Sequence, residues 1–141
     1  LTVYCDTSLI IASMTREAHS PAVWQWLGTQ SERRLYVSDW SDTEVSSALS
    51  LKVRTEQISA ANRIQLMEAW RASIGTSYEQ LGVSPENFTT AARFIERYEL
   101  GLRAADALHL AIAQSHGLAM ATLDIRLRGA AIEYGVAVEV V

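Results

Sequence analysis

The chain has 141 residues and a mass of 15.6 kDa, is 49% hydrophobic and 20% charged, and carries a formal net charge of −4. That length suits one domain spanning residues 1–141, and the composition excludes disordered and collagen-like chains. A single cysteine, Cys5, excludes a disulfide framework and a Cys-rich zinc site, so a reducing cytoplasm is the expected setting.

In chain order, Thr2 to Cys5 reads as a strand and Asp6-Thr7-Ser8 as the cap of a short helix reaching about Met14. The apolar opening has no basic start and meets Asp6 too early for a signal peptide. Because it begins with Leu1 rather than Met, at least one native residue is expected to precede it. Ser20-Pro21 opens a helix carrying Val23, Trp24 and Leu27. Leu35 to Val37 is the second expected strand, and Ser38 or Asp39 caps a helix through Glu44, Ala48 and Leu51. Ile58 to about Ile74 has apolar residues at helical spacing. Tyr78 to Val83 is the third expected strand, and Ser84-Pro85-Glu86 starts a helix that should reach about Tyr98. Ala104 to His116 is almost continuously apolar, a buried helix. Leu118 to Leu123 and Val136 to Val140 complete a set of about five strands, with a helix from Ile125 to about Tyr134 between them. No stretch of about 18 apolar residues is present to span a membrane. Strands separated by helices predict an α/β fold, a parallel sheet with helices on both faces.

Against this layout the acids are placed informatively. Asp6 and Asp124 directly follow strands, and ligands of open parallel sheets bind outside the carboxyl ends of strands. Glu44 lies about one turn into the helix after the second strand, and Asp106 lies in the first turn of the buried helix. Taken singly, Asp6 and Asp106 serve equally well as helix caps worth about 1 kcal/mol each. Glu44 serves as a solvated surface acid, with Asp42 as a rival for its role. Taken jointly, four acids on one edge favour a site. Carboxylates gathered in this way repel one another and recruit a proton or a cation. Without histidine or cysteine at ligand spacing, the set suits Mg²⁺ or Mn²⁺ rather than zinc, and such ions serve phosphoryl chemistry.

The sequence resembles the PIN-domain ribonucleases, most nearly the VapC-type toxins of bacterial toxin–antitoxin pairs. The resemblance is carried by Tyr4-Cys5-Asp6-Thr7-Ser8, by Ser38 to Val45 around Glu44, by Ala105 to Ala113 around Asp106, and by Ala121-Thr122-Leu123-Asp124 with a later Gly135-Val136. It implies a PIN-like fold in which Asp6, Glu44, Asp106 and Asp124 are the catalytic, metal-binding acids. The implied activity is Mg²⁺-dependent endonucleolytic cleavage of RNA, leaving a 5′-phosphate and a 3′-hydroxyl. Thr7 and Thr122 stand where the family often has small hydroxyl residues near the metal waters. The further acid that some members carry beyond the fourth is replaced here by Arg126, which leaves the number of metals open. The implied partners are an RNA substrate, a cognate VapB-like antitoxin and a second copy of the chain in a homodimer.

Eleven of the twelve basic residues are arginine, through genomic composition or because a planar fork grips phosphate. Arg16 and Arg126 are the leading RNA-binding candidates. Arg128, Lys52 and Arg54 lie in neighbouring segments, and Arg103 is assigned to an antitoxin carboxylate or a dimer contact. His109 reads as a buried structural histidine rather than a general base, and Cys5 as core packing. The tryptophans are assigned to the core or a dimer contact, with base stacking a further role for Trp40. A phosphatase or receiver domain fits poorly, because Asp6 starts no Asp-x-Asp motif and Lys52 is the sole lysine. The remaining alternative is a catalytically silent PIN domain that binds RNA or protein. Setting the four acids aside leaves twelve acidic residues against twelve basic ones. The net charge therefore predicts metal-dependent RNA binding rather than none.

Overall fold

Strand β1 (Thr2–Cys5) is buried on both sides: Val3 and Cys5 enter one core, Tyr4 the other, and none of the three is exposed. The computed structural model describes residues 2–141; Leu1 lies outside them. β1 pairs in parallel with β2 (Arg34–Ser38) and β4 (Ala119–Ala121), and β2 pairs in parallel with β3 (Tyr78–Leu81), giving the order β3-β2-β1-β4. The chain runs outward from β1 to β3 and then crosses back to β4. The direction of winding therefore reverses between β1 and β4, where a crevice forms at the carboxyl ends.

Helices α1 (Thr7–Met14), α2 (Ser20–Gly28), α3 (Asp39–Arg54) and α4 (Ala60–Ser73) cover the Val3/Cys5 face through Leu9, Val23, Leu49 and Trp70. The Tyr4 face is covered by α5 (Pro85–Ile95), α6 (Ala104–Ser115) and α7 (Ile125–Glu133) through Phe94, Leu110, Ile112 and Leu127. Cys5 is a free thiol within the first core, and burial pushes its pKa up. No helix among the described residues is long and apolar enough to cross a membrane.

The expected α/β sandwich is present, with differences at its margins. The expected fifth strand, Val136 to Val140, is a single parallel bridge between Met120 and Val138. β4 is shorter than expected because its exit turns to cap the next helix. There the Leu123 N–H donates to Ser8 Oγ at 3.1 Å and the Asp124 N–H to Thr122 Oγ1 at 3.0 Å. That leaves little ladder for another strand. The helix from Pro85 stops at Ile95 rather than Tyr98, and a 3₁₀ turn (Tyr98–Leu100) follows, closed by Gly101 at φ 64°.

Helix α6 carries the candidate acid Asp106 on a core-filling element. Leu110→Ala, at a position with no exposure, is expected to lower unfolding free energy by about 3 kcal/mol in urea titrations. A loss below about 1 kcal/mol would show that α6 is not packed as described.

Candidate metal centre

At the reversal point an open pocket of about 660 Å³ is lined by Asp6, Glu44, Asp106 and Asp124, together with Thr7, Ser8, Arg103 and His109. Asp6 caps α1 and is nearly inaccessible at 3% exposure. Its Oδ1 accepts from Ser8 Oγ at 2.6 Å and from the Leu9 N–H at 3.2 Å, and its Oδ2 accepts from Thr122 Oγ1 at 2.6 Å. Asp124 caps α7, accepting from the Leu127 N–H at 2.9 Å. Capping and site membership coincide for these two acids. Asp106, in the first turn of α6, is not the cap of that helix.

Glu44 stands on α3. Its Oε1 accepts from Thr7 Oγ1 at 3.0 Å and is hydrogen-bonded to His109 Nε2. Asp42, the rival to Glu44, lies outside this pocket: its Oδ1 accepts from Trp70 Nε1–H at 2.9 Å, and it lines a separate pocket with Met67 and Arg71. Thr7 and Thr122 thus hold the acids themselves. Arg103 is the arginine on the pocket wall. Arg16 instead borders a neighbouring pocket of about 380 Å³ with Lys52 and Leu66, and Arg126 packs beside Gly101. Lys52 is engaged with Glu17 at 2.9 Å. Trp26 and Trp70 are core residues, whereas Trp24 is about half exposed. Ser8, not among the expected site residues, and His109, expected to be a buried structural histidine, both line the pocket. The sequence signal for Ser8 is its place in the Asp6-Thr7-Ser8 cap, and for His109 a lone polar residue three positions after Asp106 in an apolar helix.

The electrostatics reflect crowding. Burial raises the Asp6 carboxyl, opposed by the His109 ring and by the Ser8, Thr122 and Leu9 hydrogen bonds. Burial, then repulsion from Asp124 and Asp6, pushes Asp106 up to about 6. Burial also acts to raise Glu44, but the hydrogen bonds from His109 and Thr7 bring it below the ordinary carboxylate value. Oxygen donors without thiolate suit a hard divalent cation, which would relieve this repulsion. Among the described residues no three His, Cys, Asp or Glu side chains are gathered tightly enough to grip an ion by themselves. An ion in this open pocket would therefore retain waters, as Mg²⁺ does.

A folded-state pKa above the unfolded value means that ionising Asp106 costs stability, progressively from about pH 4 to about pH 6. Asp106→Asn removes that cost. In EDTA at pH 7.5 the variant is expected to unfold at a higher temperature, by a gain on the order of 1 kcal/mol for this half-exposed group. The gain should fade towards pH 4. An unchanged or lower melting temperature at pH 7.5 would contradict the crowding.

The PIN domain family profile matches residues 3–133. No functionally curated protein sequence matches the chain. Among solved structures, FitAcB from Neisseria gonorrhoeae is similar at TM-score 0.73 and 21% identity, covering 96% of this chain and 95% of that one. The sarcin-ricin loop cleaving toxin VapC20 of Mycobacterium tuberculosis is similar at TM-score 0.71 and 17% identity, covering 91% and 94%. A toxin–antitoxin complex from Klebsiella pneumoniae is similar at TM-score 0.63 and 18% identity, covering 86% of each chain. At these identities the likeness is one of fold, whereas the profile spans nearly the whole chain: the protein belongs to the PIN domain family.

Proposed function

We propose that this protein is a Mg²⁺-dependent endoribonuclease, with Mn²⁺ as a substitute ion, that acts as the toxin of a type II toxin–antitoxin pair. The observation that carries this reading is the convergence of Asp6, Glu44, Asp106 and Asp124 on one open pocket in a PIN domain chain. These four are assigned as the metal-holding, catalytic acids. A bound divalent ion supplies an activated water near neutral pH and offsets charge on the phosphodiester. The chain's own contribution is orientation: Thr122 and Ser8 fix Asp6, and Thr7 fixes Glu44. Arg103 on the wall is placed to meet a phosphate of the RNA backbone. Arg16 and Arg126, outside that wall, are assigned to RNA leaving the pocket.

The fold shared with a toxin–antitoxin complex supports a VapB-like antitoxin partner, and the fold shared with a sarcin-ricin loop cleaving toxin supports an RNA substrate. Residues 1–141 are taken as one domain working in the cytoplasm. A second copy of the chain in a homodimer belongs to the same reading.

Incubation of the purified protein with structured RNAs and Mg²⁺ is expected to yield fragments with 5′-phosphate and 3′-hydroxyl ends. EDTA should abolish the cleavage, and Asp6→Asn should slow it on the order of 100-fold. Intact RNA with every divalent ion, together with silent metal calorimetry, would end the nuclease reading. Arg103→Ala is expected to raise the RNA concentration for half-maximal rate several-fold with little effect on the saturated rate. An unchanged half-maximal concentration would remove Arg103 from the RNA path.

A further inference from the structure

Under the acidic pocket, a buried line of hydrogen bonds joins the sheet to Glu44. Ser38 Oγ and Tyr4 Oη are 2.8 Å apart, Tyr4 Oη and His109 Nδ1 are 2.6 Å apart, and His109 Nε2 meets Glu44 Oε1, with Thr7 Oγ1 at 3.3 Å. Tyr4 and Ser38 have no exposure and His109 has 1%. The line has a direction set by chemistry. A carboxylate only accepts, so the hydrogen facing Glu44 belongs to Nε2. With that hydrogen on Nε2, a ring bearing one hydrogen accepts at Nδ1 from the Tyr4 hydroxyl. Tyr4 Oη then accepts from Ser38, the N-cap of α3, whose own N–H donates to Ser41 Oγ at 3.1 Å. Every buried polar group in the line is satisfied by this one arrangement. The neighbours of His109 on α6, Leu108, Leu110 and Ile112, are apolar and buried, so packing alone calls for another aliphatic side chain here.

We propose that His109 is a positioning residue of the acidic site. Its Nε2–H, with the Thr7 hydroxyl, occupies Glu44 Oε1 and leaves Oε2 to other partners, while Tyr4 and Ser38 fix the ring from behind. His109 sets how well Glu44 is presented to a divalent ion, and Tyr4 transmits the rigidity of the central strand to that presentation. The role rests on Glu44 being a metal-holding acid, as proposed above.

The test compares His109→Gln, His109→Leu and Tyr4→Phe with the wild-type chain, each checked for folding by circular dichroism. Mn²⁺ affinity is measured by calorimetry, and RNA cleavage is followed as a function of Mg²⁺. His109→Leu is expected to weaken Mn²⁺ binding about 10-fold. It should raise the Mg²⁺ concentration for half-maximal cleavage in proportion, with the rate at saturating Mg²⁺ within about threefold of wild type. His109→Gln keeps a donor towards Glu44 and should recover most of the affinity. Tyr4→Phe should fall between the two. In metal-free protein, ¹⁵N–¹H correlations of the imidazoles should show a hydrogen on Nε2 of His109. A ring protonated at Nδ1 alone, wild-type Mn²⁺ affinity in folded His109→Leu, or no recovery in His109→Gln each overturns the proposal. Should His109→Leu fail to fold, unchanged affinity in folded Tyr4→Phe overturns it as well. A wild-type protein that binds no Mn²⁺ overturns the metal-site reading and this role together, whereas normal wild-type binding with unaffected His109→Leu and Tyr4→Phe overturns this role alone.

Discussion

Like charges crowded at the carboxyl ends of a parallel sheet constrain everything built around them. Burial raises the cost of ionising Asp106, and the neighbouring Asp124 and Asp6 add to it. The chain keeps them together by giving each a separate anchor. Asp6 and Asp124 are tied into the helix starts that follow β1 and β4, Asp106 rides on a helix filled with buried apolar side chains, and Glu44 is held by Thr7 and His109. Two hydrophobic cores, one on each sheet face, supply the free energy that offsets this local repulsion.

The topology explains why these four segments meet. Because the chain returns from β3 to the far side of β1, the exits of β1 and β4 become neighbours although their residues are more than a hundred positions apart. Thr122 and Asp6 make that juncture directly, and Ser8 receives the Leu123 N–H across the same gap. A shared capping network thereby turns two helix starts into one surface. The cap bonds that stabilise the two helices also fix the Asp6 and Asp124 carboxylates at the pocket.

Much of this was legible in the residues because strand and helix periods are local signals. Asp6 and Asp124 stood out as acids closing apolar runs, and the buried character of α6 followed from its composition. Residue spacing alone left Asp42 and Glu44 as rivals and the family resemblance chose Glu44; the bond that holds Asp42 comes from Trp70, twenty-eight positions away and on another helix. The structural reading of His109 caught its burial, while its partners Tyr4 and Glu44 lie 105 and 65 positions away. Arginines were the least legible, because long exposed side chains follow no periodic rule; Arg103 rather than Arg16 or Arg126 reaches the pocket wall. The missing fifth strand has a local cause, the early turn of β4 into the Thr122–Asp124 cap.

The central claim is that these carboxylates form one divalent-cation site. Anomalous diffraction from crystals soaked in Mn²⁺ addresses it most directly. The account predicts a Mn²⁺ peak inside the pocket, bonded to at least two of Asp6, Glu44, Asp106 and Asp124, with waters completing its shell. A pocket without Mn²⁺ at millimolar soaking concentrations, or Mn²⁺ bound only elsewhere on the surface, would contradict it.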